Sequence, residues 1–246
     1  MAASAQCDNR SMDRAIRSYV VRAGRLTDAQ RRALEQLWPQ FGLEFAPQVL
    51  DLDKVFGRTA ARTLEIGFGD GEHLIERALA APERDFLGIE VHPPGIGHLL
   101  LAAQKVQLRN LRLIAHDAVE VLQEQIPADS LDEVQLLFPD PWPKKRHHKR
   151  RLLTAAFAQL VASRLTAEGR FHAATDWAPY AEQMLSVLND CPQLTNCAAD
   201  RGYAHPDELR ARRTTRFERR GERLGHSVHE LLFRCGPGEQ RSAGEG

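Results

Sequence analysis

Residues 62–91 read RTLEIGFGDGEHLIERALAAPERDFLGIEV. The stretch opens on one short apolar run (62–68) and closes on another (85–91), each the length of a buried strand. Between them, GEHLIERALA carries its apolar residues at helical spacing. Gly67, Gly69 and Gly71 occupy the junction, where the chain can turn tightly and let a ligand approach its backbone. Strand, glycine turn, helix and strand in this order predict parallel strands joined by a crossover helix.

The same rhythm continues on the C-terminal side. LRLIAHD (111–117), DEVQLLF (132–138) and GRFHAAT (169–175) are further apolar runs, and GIGHLLLAAQKVQL, AVEVLQEQI, RLLTAAFAQLVASRL and a segment over 179–189 have helical patterns. LTNCAAD and VHELLFR can then close the sheet as antiparallel strands. The fold class predicted is α/β, a Rossmann-like doubly wound, mostly parallel sheet. On the N-terminal side, DAQRRALEQLW reads as a helix capped by Thr27 and stopped by Pro39. Residues 41–58 read as irregular. Residues 1–24 lack hydrophobic period and are expected to form a flexible arm, 25–235 one domain, and 236–246 a disordered tail.

The 246 residues are 43% hydrophobic and 27% charged, with 33 basic and 33 acidic side chains. Zero net charge hides segregation. Lys144–Arg151 carries six basic residues and no acid, and Arg210–Arg223 carries seven arginines against two glutamates. Such blocks create a local positive face for a polyanion. Four cysteines without C-x-x-C spacing argue against a disulfide framework or a zinc site and suit a reducing compartment. The N-terminus lacks the apolar core of a signal peptide, and no window approaches a membrane span. The expectation is a soluble, cytoplasmic protein with no metal.

Ligands of doubly wound sheets bind at the carboxyl ends of the strands near the switch point. Four of the five runs deliver a carboxylate there: Glu90, Asp117, Asp140 and Asp176. One such acid is as readily a turn or helix cap; four beside a glycine loop make capping the weaker account. The loop reads E-x-G-x-G-x-G, with Glu72 where a dinucleotide fingerprint wants its third glycine. Glu65 inside the first strand would repel a pyrophosphate but suits an ammonium group. Glu90 can accept from ribose hydroxyls, and Asp117 can meet an adenine amino group. Together these favour S-adenosylmethionine (SAM) over a nicotinamide cofactor.

Residues 138–151 read FPDPWPKKRHHKRR. Pro139 and Pro141 lack N–H donors, fix φ and stiffen the loop around Asp140. Trp142 supplies an aromatic plane, so carboxylate and ring can hold a flat base. Guanine offers N1–H and an exocyclic amine to such a carboxylate. Lys144, Lys145, Arg146, Lys149, Arg150 and Arg151 can meet phosphates, with His147 and His148 as hydrogen-bonding members of that surface. Read as the start of the following helix, the block would oppose its dipole, a local cost that suggests function.

FPDPWPKKRHHKRR, LEIGFGDG, FLGIEVHPPGIG, HDAVEVL, ATDWAPYAEQML and TRFERRGERLGH, in this order, resemble the bacterial tRNA (guanine-N7)-methyltransferases over about Arg17 to Phe233. The resemblance implies methyl transfer from SAM to N7 of the variable-loop guanine of tRNA. It implies that Glu65, Glu90, Asp117 and Asp140 line the cofactor site beside Gly67, Gly69 and Gly71, and that Asp140 is the active-site residue. It assigns Lys144, Asp176 and Thr215, Arg216, Phe217 and Glu218 to substrate, and Arg146 to Arg151 to RNA. Family members occur as monomers and homodimers. Guanine N7 carries no proton, so Asp140 is expected to orient rather than act as a base. Three alternatives stay open on the residues alone: a SAM enzyme with another target such as an exocyclic base nitrogen, a non-catalytic tRNA-binding module, and a nicotinamide dehydrogenase.

Overall fold

The computed structural model describes residues 25–205, 209 and 227–236. The expected arm over 1–24 and most of the expected tail (237–246) lie outside the described residues.

Five parallel strands carry the predicted alternation: β2 (Arg62–Ile66), β3 (Asp85–Ile89), β4 (Leu111–Ile114), β5 (Leu131–Leu137) and β6 (Leu165–Thr175). Their crossovers contain α4 (Glu72–Ala80), α5 (Pro93–Lys105), α6 (Ala118–Glu124) and α7 (Ala155–Arg164). After α8 (Ala178–Asn189), β7 (Leu194–Asn196) and β8 (His229–Cys235) pair antiparallel, and β8 lies antiparallel on β6. With a short edge strand β1 (Gly42–Leu43), the sheet order is β1-β4-β3-β2-β5-β6-β8-β7. The strand–helix alternation starts near the middle at β2, runs outward to β4 and returns to β5 on the other side of β2. The switch point therefore lies between β2 and β5, and the glycine loop and FPDPWP both emerge there.

The strands are buried on both faces, as helix-covered parallel strands must be. On one face Leu64, Leu87, Ile114 and Leu136 pack with α6, α7 and α8. On the other, Phe86, Leu111 and Leu113 pack with α4, α5 and α1 (Asp28–Gln36). This second face carries polar residues in its centre: Thr63, Glu65, Glu133 and Gln135 are buried. α4 supplies partners for the two glutamates. Arg77 Nη2 donates to Glu133 Oε2 at 2.9 Å, and Gln135 donates to the other oxygen at 2.6 Å. Burial drives Glu133 upward, but the Arg77 charge and these hydrogen bonds outweigh it and hold the carboxyl below its ordinary range. Cys191 and Cys235 are buried thiols, both raised by burial, Cys235 to about 11, which makes them inert core fillers.

Two expectations at the N-terminal end need correction. Thr27 caps α1 through a reciprocal capping box with Gln30, as predicted. Pro39 does not end the structure, however; it sits in the first turn of α2 (Trp38–Phe41), where its missing N–H is harmless. Within 41–58, Gly42 and Leu43 form β1, which pairs parallel with β4, and Leu52–Phe56 form α3 behind the Asp51 cap. Two-residue and five-residue elements have too little periodicity to read. A third correction concerns the basic block. Lys145–Arg150 is its own 3₁₀ turn, and α7 starts later, behind Thr154. The positive charge therefore does not oppose the α7 dipole. No described helix is long and apolar enough to cross a membrane.

Candidate active site

At the switch point the carboxyl ends of β2, β3 and β5 enclose a cavity of about 250 Å³. Its walls are apolar, from Ile66, Phe68, Ile89, Leu136 and Leu137, with Glu65, Glu90 and Asp140 as acids around them. Gly67, Gly69 and Gly71 all have positive φ, which only glycine adopts without strain. A Cβ on Gly71 would strike Leu99 of α5, so this glycine also lets helix and loop pack closely.

The acids are held in different ways. Glu65 is 3% exposed and 3.0 Å from His73 Nδ1, a contact between β2 and α4 that the sequence reading missed. His73 lines the cavity too, and its buried Nε2 has no hydrogen-bond partner. Glu90 accepts from three backbone N–H groups: Gly69 at 2.9 Å, Val91 at 2.7 Å and His92 at 3.0 Å. It ties the glycine loop to the end of β3, and about one acceptor position of its four remains for a ligand. Asp117 does not line the cavity. Its Oδ1 caps α6, accepting from Val119 and Glu120, while its neighbours His116 and Ala118 form the wall. Gly95 was also missed: a Cβ there would lie 2.0 Å from the Gly69 carbonyl oxygen.

Asp140 is exposed at the rim, on a loop held in an unusual shape. Phe138 and Trp142, two residues to either side, have φ of 52° and 44°. Aromatic side chains in this region cost about 1–3 kcal/mol each and persist only where the surroundings over-determine them. Phe138 N–H donates to Ala174 O at 2.8 Å. Arg150 lies 5.0 Å over the Trp142 ring, and His147 meets that ring edge-on at 5.7 Å. Asp176 follows directly on β6, the strand beside β5.

The 3₁₀ turn presents Lys144, Lys145, Arg146 and Lys149 to solvent next to this rim. Desolvation, then the charges of Arg146, Arg150, Lys144 and Lys149, hold His147 below the ordinary histidine range. Arg146 Nε donates to its Nε2 at 3.3 Å, which fits the neutral ring. His148 turns its Nε2 inward, where it is buried without a partner. Arg151 departs from expectation. Its sequence neighbourhood groups it with the phosphate contacts, yet it is 4% exposed. Its Nε donates to Pro141 O at 2.8 Å, its Nη1 to Gln183 Oε1 at 2.5 Å, and its guanidinium stacks on Tyr180. A side chain enclosed in this way does not face an incoming polyanion. Thr215, Arg216, Phe217 and Glu218 lie outside the described residues, as does the whole of the second basic stretch. Among the described residues no His, Cys, Asp and Glu cluster could hold a metal ion.

A protein family described as "Putative methyltransferase" matches residues 59–231. A tRNA (guanine-N(7)-)-methyltransferase of Halorhodospira halophila is 53% identical over 228 residues, 92% of this chain and 98% of the relative. One of Alkalilimnicola ehrlichii is 56% identical over 223 residues, 90% of this chain and 93% of its own. The chain belongs to the tRNA (guanine-N(7)-)-methyltransferase family. The solved structure of a 16S rRNA methyltransferase, KamB, shares this methyltransferase's fold at 19% identity, with a TM-score of 0.52 over 89% of this chain and 99% of that one. Within the methyltransferase, the span matched by the family contains the whole cavity and the basic turn.

Proposed function

We propose that this chain transfers a methyl group from S-adenosylmethionine to N7 of a guanine in the variable loop of tRNA. The observation that carries the reading is one juxtaposition. Asp140, on a strained loop, borders the acid-lined cavity on one side and the exposed basic turn on the other.

The residues fit the cofactor. Nothing lies within 4 Å of where a Gly67 Cβ would stand, so the loop opens onto free space there. Buried Glu65 gives that end of the cavity the sign an ammonium needs. The remaining acceptor position of Glu90 suits a ribose hydroxyl. Bound SAM supplies an electrophilic methyl on a sulfonium. The chain's own part is positioning and electrostatics. Asp140 accepts from the N1–H and amine of the guanine and holds N7 in line with the methyl. As the base gains positive charge, Asp140 and Asp176 stabilise it. N7 has no proton to lose, so no residue acts as a base. Lys144, Lys145, Arg146, Lys149 and Arg150 contact phosphates, with His147 as a hydrogen-bonding side chain beside them. Such a reaction belongs in the cytoplasm with its tRNA.

Nucleoside analysis of tRNA from a reaction with SAM tests the reading. Enrichment of 7-methylguanosine is the expected result. A base methylated on an exocyclic nitrogen instead would reject the N7 assignment, and absence of SAM binding in calorimetry would reject an enzymatic role.

A further inference from the structure

We infer that Arg151 is a positioning residue that fixes the Asp140 loop against α8. The inference rests on the proposed role of Asp140 and adds the device that keeps its carboxylate in place.

Isolated from carboxylates, a buried guanidinium is unfavourable. Among the described residues Arg151 makes no ion pair, burial lowers its pKa, and its Nη2 is buried without a hydrogen-bond partner. A cation kept in such a seat calls for a compensating use. Its contacts supply one. Of the triplet Pro139–Asp140–Pro141, only Asp140 has a backbone N–H, so the segment has few donors of its own with which to tie itself down. The Pro141 carbonyl is a handle one residue beyond Asp140, and Arg151 Nε grips it at 2.8 Å.

The other end of the clamp is rigid. The guanidinium carbon stands 4.7 Å over the Tyr180 ring, and Nη1 reaches Gln183 Oε1. Tyr180 is fully buried, and its hydroxyl accepts from Leu153 N–H at 3.2 Å. Burial pushes that hydroxyl up to about 12, so the ring under the cation stays neutral. Both residues belong to α8, which starts just after Asp176. Arg151 thereby links the loop of one candidate carboxylate to the helix that follows the other. The neighbouring residue divides the labour: Arg150 lies over Trp142 on the outer side, and Arg151 holds the same loop from beneath.

The test compares Arg151→Met, Arg151→Lys and Gln183→Met with the wild-type chain. 5-Fluorotryptophan labelling, with the Trp142 resonance assigned through Trp142→Phe, reports on the loop without requiring activity. Arg151→Met should shift or broaden the Trp142 fluorine signal and lower kcat about 10- to 100-fold, while the salt slope of tRNA binding stays as in the wild type. Arg151→Lys should recover part of the rate, and Gln183→Met should lower it by several-fold. Gln183→Met also tests the clamp if Arg151→Met does not fold. A salt slope reduced by about one, with kcat and the fluorine signal unchanged, would make Arg151 a phosphate contact and overturn the inference. If the wild-type chain transfers no methyl to tRNA, the functional reading fails, and the fluorine signal alone still decides whether Arg151 sets the loop.

Discussion

Gly95→Ala should uncouple cofactor binding from folding. A methyl on Gly95 would stand 2.0 Å from the Gly69 carbonyl oxygen, whereas ordinary contact begins near 3.4 Å, so α5 and the glycine loop must part by about 1.4 Å. The loop is the weaker of the two, because Glu90 holds Gly69 through a single N–H···Oε2 bond of 2.9 Å. A displacement of that size breaks the bond. Hydrogen bonds to charged groups contribute about 1.5–3 kcal/mol, so SAM affinity should fall roughly 10- to 150-fold. Alanine in place of a helical glycine returns up to about 1 kcal/mol of stability, so the melting temperature should move little. Gly97→Ala is the control. Its Cβ would meet Gln30 of α1 at 2.8 Å, away from the cavity. That variant should strain the α1–α5 contact and bind SAM within about twofold of wild type. Calorimetric titration with SAM and thermal melts of all three proteins read both quantities. A folded Gly95→Ala protein with wild-type SAM affinity would refute the claim that α5 and Glu90 together shape the loop.

Arg77→Met should destabilise the fold by about 3–5 kcal/mol near pH 7, because it strands Glu133 as a buried, unpaired carboxylate. In the wild type Glu133 is held below its ordinary range, so its contribution is present above that range and lost as pH falls through the depressed value. In the variant burial raises it instead, so the deficit should shrink toward pH 5; urea midpoints with an equal deficit at pH 5 and 7.5 would contradict this. tRNA affinity should rise as pH falls from about 7.5 toward 5.5. His147 is depressed in the free protein by desolvation and its cationic neighbours, and phosphates that neutralise those neighbours make it take up a proton on binding. A His147→Gln protein with the same pH slope would remove that residue from the effect. Asp140→Asn should lower kcat about 100-fold or more while SAM still binds, since electrostatic stabilisers of this kind contribute roughly that much; a wild-type rate in single-turnover assays would deny the carboxylate its role.

Long periodic segments were readable because burial imposes their pattern. The five strands of the alternation, β2 to β6, and their helices lie close to where the apolar runs put them. The acids at the strand ends were readable as well, since topology alone carries residues 67–71, 90, 140 and 176 to one edge. What escaped depends on three-dimensional neighbours. Nothing local marks His73 as the partner of Glu65, because the pairing needs α4 folded back on β2. Gly95 looked like an ordinary helical glycine, and only the packed loop gives it a reason. Arg151 shared its charge with five basic neighbours, yet the end of the 3₁₀ turn rotates it inward onto Tyr180. Charge composition reports that a basic face exists, and backbone geometry decides which side chains belong to it. The left-handed φ of Phe138 and Trp142 had no sequence signal, since both are aromatic residues that ordinarily avoid it. One hint was legible in retrospect: alternating prolines remove the donors that would otherwise tie the loop, so a side chain from elsewhere had to do so.

The central claim is that N7 of one guanine attacks the methyl of SAM. Two tRNA transcripts that differ at one variable-loop residue, guanosine in one and 7-deazaguanosine in the other, test it most directly. The deaza base keeps the N1–H and the amine but has carbon in place of N7. With labelled SAM, the account predicts label on the first transcript and none on the second, with both bound equally well. Equal label on both would contradict it.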